Sequence, residues 1–145
     1  MKNLPFLSVA ALALSACAPM LAPGYTLVLQ AAAPAGTAPV GTVSVTRSQA
    51  TTSTTARVTG LAANTYYVAH YHTMGAASSD PCKSGGLLIM SSMMIGQTDA
   101  AGALTLAGTV ATSDIAGATY FNVHTAKDSV GTPADGGVAC ARVTP

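Results

Sequence analysis

The sequence predicts an all-β fold, an eight-stranded barrel or sandwich with Greek-key links. Three observations predict it. Short runs rich in threonine, valine and tyrosine recur along the chain. Clusters of Gly, Pro, Asn and Asp punctuate them at intervals suited to tight turns. No segment of useful length carries apolar residues at a helical period of 3.6. The natural architecture for such a pattern packs the strands into a closed or two-layered β-structure around one core.

Taken in order, the first expected strand covers 25–32 and ends at the turn signal Pro34-Ala35-Gly36. A second covers 40–47. The third, 51–61, begins in the run T-T-S-T-T, whose composition looks simple but whose β-branched threonines favour an exposed strand over disorder. Ala63-Asn64 marks the turn into a fourth strand at 65–73, and a fifth is expected at 86–90. The span from Asp99 to Gly102 leads into a sixth at 103–110, where Leu104, Leu106 and Val110 alternate imperfectly with Thr105, Ala107 and Thr109. The seventh and eighth are read at 118–124 and 139–143, the latter after the turn Asp135-Gly136-Gly137. No internal repeat accompanies them, and the length allows one domain.

The first residues read as an export signal. Lys2 supplies a short basic start, residues 4–16 are apolar, and the segment ends in Leu14-Ser15-Ala16-Cys17. It is too short to span a membrane. The L-S-A-C ending is similar to a bacterial lipoprotein signal. That resemblance implies cleavage after residue 16, acylation of Cys17 and a mature protein tethered to a membrane face of the cell envelope. The expected organisation is a signal peptide at 1–16, a lipidated tether at 17–24 and a β-domain at 25–145. With Cys17 so used, Cys82 and Cys140 remain as an even pair, which in an oxidising compartment reads as a disulfide. The mature chain would set Arg47, Arg57, Lys83, Lys127 and Arg142 against five aspartates and no glutamate. Near neutrality without a basic patch argues against a nucleic-acid partner.

Chemistry concentrates in three histidines. His70 and His72 lie two apart in T-Y-Y-V-A-H-Y-H-T, so on a strand they share a face, and His124 sits in T-Y-F-N-V-H-T. Brought together, three neutral imidazoles make a ligand set suited to copper or zinc. Tyr66, Tyr67 and Tyr71 read as strand packing, and Lys83 and Lys127 as solvated charges.

The stretch G-L-A-A-N-T-Y-Y-V-A-H-Y-H, then Cys82 with Gly85-Gly86, F-N-V-H-T-A-K-D, and G-G-V-A-C-A-R-V at the end resemble, in order, the copper/zinc superoxide dismutase family. The resemblance covers roughly 60–143. It implies that His70, His72 and His124 bind one copper ion, that Cys82 pairs with Cys140, and that Asp128 orients metal ligands from behind. The chain departs from the family in having no histidine between Lys83 and Val123, which removes the bridging ligand and the zinc site. Gly137 stands where the family has the arginine that guides superoxide, and the segment 125–139 is short. A copper-only, zinc-free relative is therefore expected. Met90, Met93 and Met94, with Met74, are candidates for a soft additional ligand, although for any single one core filling is the favoured reading. Three functions follow as expectations: copper holding with weak or lost dismutation, active copper-only dismutation of superoxide, or a CHRD-like extracellular domain, which shares the G-L turn, H-x-H and N-V-H.

Overall fold

A computed structural model of the chain describes residues 25–29 and 36–143. The signal, tether and Cys17 expected from the sequence lie outside these residues, as does the end of the first expected strand. Eight strands form: β1 (Tyr25–Leu29), β2 (Val40–Arg47), β3 (Thr51–Thr59), β4 (Tyr66–His72), β5 (Leu88–Gln97), β6 (Leu104–Ala111), β7 (Tyr120–Thr125) and β8 (Ala139–Arg142). Two short 3-10 turns, Pro81–Lys83 and Thr112–Ile115, interrupt the connections. Strand pairing runs β5-β4-β7-β8-β1-β2-β3-β6, antiparallel throughout. Strand β1 belongs to two sheets, pairing with β2 through Tyr25, Thr26 and Leu27 and with β8 through Val28 and Leu29. The result is a β-sandwich.

Alternation decides which side chains fill the space between the sheets. Along β3, Thr52, Thr54, Ala56 and Val58 are buried while Thr51, Ser53, Arg57 and Thr59 face water. Val43, Val45, Leu104, Leu106 and Val110 complete that layer. The facing layer is Tyr67, Ala69 and Tyr71 of β4, Met94 of β5, Phe121 and Val123 of β7, and Ala139 and Ala141 of β8. Tyr71 and Phe121 meet edge to face with ring centroids 5.2 Å apart, and the Tyr71 hydroxyl lies 2.8 Å from Thr54 Oγ1 across the core.

The two sheets differ in one respect that places the site. Strands β2, β3 and β6 bury one face, as a solvated antiparallel sheet does. Strands β4 and β7 bury both, because the segments 73–87 and 126–138 fold over their outer face. The residues alternate with the core set, so that outer face carries Val68, His70 and His72 of β4 beside Tyr120, Asn122 and His124 of β7.

One expected strand needed correction. The fifth runs from Leu88 to Gln97, well past Met90. Its pairing with β4 shifts register between Ala69 and Tyr71. There Ser92 Oγ accepts the Tyr71 N–H at 2.9 Å and donates to the Ile89 carbonyl at 2.6 Å. A side-chain hydroxyl thus substitutes for a ladder carbonyl across a bulge, and the strand continues past the expected end.

A disulfide joins Cys82, in the 73–87 segment, to Cys140 of β8, with Cα atoms 5.9 Å apart. Arg142 reinforces the link through an ion pair to Asp80 at 3.1 Å, and Asp80 also accepts the Cys82 N–H. The bridge spans 58 residues, for which unfolded-chain entropy alone supplies about 4 kcal/mol. Replacing Cys82 with Ser is expected to lower the melting temperature under oxidising conditions and to leave it unchanged under reducing ones. Equal melting of variant and parent in both conditions would argue against this accounting.

Candidate metal centre

His70, His72 and His124 form one cluster whose ligand atoms all lie within 4.8 Å of one another. Their exposures are 0, 3 and 4%. The sandwich achieves this by pairing β4 with β7 so that Val68 opposes His124, His70 opposes Asn122 and His72 opposes Tyr120. Two histidines on one strand and a third on its neighbour, all with the same parity, then converge over the sheet.

Two loop carbonyls fix the rings of His72 and His124. His72 Nδ1 lies 3.1 Å from the Gly86 carbonyl oxygen, and His124 Nδ1 lies 3.0 Å from that of Asp135. A carbonyl only accepts, so in each neutral ring Nδ1 carries the proton and Nε2 keeps a bare lone pair. The two Nε2 atoms stand 3.3 Å apart. Two lone pairs that close repel unless something electron-poor lies between them. A proton is disfavoured there, because burial pushes the pKa of both rings down. A metal ion fits: at metal–nitrogen bonds of about 2.0–2.1 Å, neighbouring nitrogens on one ion sit roughly 3–3.5 Å apart. The His70 ring nitrogens have no hydrogen-bond partner although fully buried, which leaves a lone pair free for the same ion. Burial, with the adjacent His124 and His72 adding to it, lowers the His70 pKa to about 4. The cluster is therefore neutral at pH 7 and could hold a metal ion without first shedding protons.

The carbonyls owe their positions to a small set of contacts. Tyr120 stacks on His72, with ring centroids 4.6 Å apart and an angle of 18°, and its hydroxyl accepts the Gly86 N–H at 3.0 Å. Gly86 tolerates no side chain, since a Cβ there would collide with the Thr73 carbonyl. Asp135 Oδ2 accepts the Thr125 N–H at 3.1 Å and Oδ1 the Gly137 N–H at 2.8 Å, so the carboxylate ties its own loop to β7. Asp135 Oδ1 is also 3.7 Å from His124 Nδ1.

Asp128, expected to orient ligands, is placed elsewhere. Its Oδ1 accepts the Val130 and Thr132 N–H groups in an exposed turn of its own, and Asp135 provides the contact to histidine instead. Met94 is also corrected as a ligand candidate: it pairs with Ala69 on the core side and fills the space that Gly108 leaves open. Met74, Met90 and Met93 are exposed, Met90 to 62%. Sequence reasoning missed Tyr120 and Asn122, although both share the parity of His124 on its strand. It recognised Asp135-Gly136-Gly137 as a turn but not Asp135 as a partner of histidine.

The direction of the histidine shifts sets a pH dependence. As pH falls, the unfolded chain takes up protons near 6.5 while folded His70 resists until about 4. Stability of the metal-free protein should therefore be full above about pH 6.5 and decline progressively from there towards pH 4. Urea midpoints at a series of pH values check this, and a flat profile between about pH 6.5 and 5, above the usual carboxylate range, would contradict it.

No family model matches the chain, and no curated protein matches it.

Proposed function

We propose that the chain is a copper-binding, superoxide-dismutase-like lipoprotein of the bacterial envelope, holding one copper ion and no zinc. The observation that carries this reading is the pair of Nε2 lone pairs held 3.3 Å apart by two loop carbonyls. The ordered motifs, the Cys82–Cys140 bridge and the strand connections, which we read as Greek-key, support it. Tethering through Cys17 is part of the same proposal and rests on the L-S-A-C signal. Nitrogen donors suit both copper and zinc. Copper is preferred because the lack of any histidine between Lys83 and Val123 removes the family's bridging and zinc ligands, while the three non-bridging copper positions remain as His70, His72 and His124.

Copper bound here would exchange single electrons between Cu(II) and Cu(I). The residues that would make this a fast dismutase are missing. Gly137 occupies the arginine position, so no cation there draws a small anion inward. No fourth histidine is present to leave and return during a redox cycle. The burial of all three rings further restricts approach. Holding copper, with dismutation weak or absent, follows from this set.

The test loads the full-length chain with Cu(II), measures retained metal after desalting and follows superoxide decay by pulse radiolysis. One copper per chain with decay no faster than the apo protein is the expected result. One copper with fast decay would establish an active copper-only dismutase instead. No retained copper would overturn the proposal and favour a CHRD-like structural role. Changing His70 and His72 together to Ala should abolish stoichiometric binding while leaving the β-fold intact by circular dichroism; tight binding in that variant would refute the site.

A further inference from the structure

A neutral imidazole has one lone pair and one N–H. In His72 and His124 the N–H is spent on a loop carbonyl and the lone pair is left for an ion. His70 lacks the first half of that arrangement. Neither of its nitrogens has a partner, and once one of them holds an ion the other is a fully buried donor with nothing to donate to.

Among the described residues only Asn122 Oδ1 and Thr125 Oγ1 share this condition with His70. Asn122 is the residue directly opposite His70 on β7, on the same outer face, and is itself 3% exposed. Its amide orientation follows from its one hydrogen bond: a group 3.0 Å from the Gly136 carbonyl must be the NH2, which leaves Oδ1 as an acceptor without a donor. Gly137 closes the amide in from above. Its φ of 117° and the collision that any Cβ would make with the Asn122 side chain reserve that place for glycine.

We propose that Asn122 is the positioning residue of the third ligand: its Oδ1 accepts the N–H that His70 retains when the other ring nitrogen holds copper. The inference rests on the copper-binding reading above. One contact between these facing residues, direct or through a single water, would satisfy both orphaned groups. Direct coordination of the ion by Oδ1 would satisfy Asn122 alone and leave the His70 N–H buried and unpaired, so the donor count favours orientation over ligation. Asp135 serves His124 in place of Asp128, which faces solvent, and an uncharged group serves His70. A neutral acceptor keeps the buried cluster free of a carboxylate charge beside His70.

The full-length chain labelled with 15N-histidine and loaded with Cu(I), which is diamagnetic, tests this by NMR alongside Cu(II) affinity measured by chelator competition. The parent should show three slowly exchanging ring N–H signals. Asn122→Leu should lose that of His70 alone and bind Cu(II) roughly 10- to 100-fold more weakly. Asn122→Asp, which keeps an acceptor oxygen, should restore the signal. Gly137→Ala, which leaves the amide chemically intact but displaces it, should reproduce the loss and guards against a folding defect peculiar to Leu. Retention of all three signals with unchanged affinity in Asn122→Leu would overturn the assignment. So would a parent that already lacks the protected His70 N–H, as direct ligation by Oδ1 predicts. A parent that retains no copper would instead refute the underlying reading.

Discussion

The site depends on two backbone carbonyls, Gly86 and Asp135, being held against Nδ1 of His72 and His124. Without them either ring could place its proton on either nitrogen, and the facing pair could relax into an ordinary imidazole–imidazole hydrogen bond. With them, the proton is fixed on the far side and two lone pairs are forced into the same small space. An ion between them would relieve that repulsion, so main-chain groups in loops prepare the histidines for one.

That makes loop placement the costly part of the design. The 73–87 segment is fastened by the bridge to β8, by Arg142 to Asp80, by Ser84 Oγ, which accepts the Gly75 N–H and donates to the Pro81 carbonyl, and by the Tyr120 hydroxyl under Gly86. The 126–138 segment is fastened by Asp135 and by main-chain bonds from Lys127 to Thr132 and from Ala134 to Thr125. Each segment delivers one carbonyl. Closure of the two segments over β4 and β7 also removes the rings from water, which keeps them neutral, so orientation and deprotonation have the same structural cause.

Much of this was legible in the residues. Period-2 spacing placed His70 and His72 on one face without knowledge of the fold, and parity placed His124 there once β4 and β7 paired. The cysteine pairing was legible because the lipoprotein-like signal sets Cys17 apart and leaves Cys82 and Cys140 as a pair. Strand ends were legible where Gly and Asn punctuate, as at Asn64 with its φ of 51°. The failures occurred where the path of a loop decided the outcome. Asp128 stands at the right distance in sequence from His124, but an Asx-type turn spends its carboxylate locally. Asp135, farther along, comes back to the ligand. The fifth strand reads as ending at Met90 because nothing in composition announces that a serine hydroxyl will stand in for a carbonyl.

The register break in β5 falls on an exposed apolar edge. β5 is the last strand of its sheet, and Leu88, Met90, Met93 and Ile95 along it are exposed. A long apolar strand with unpaired N–H and C=O groups is a template on which another chain can assemble. The register shift against β4, where Ser92 Oγ takes the Tyr71 N–H, breaks the regular course of this strand. In a chain with so few charges to keep copies apart, an irregular edge is a poorer template for a second copy than a straight one.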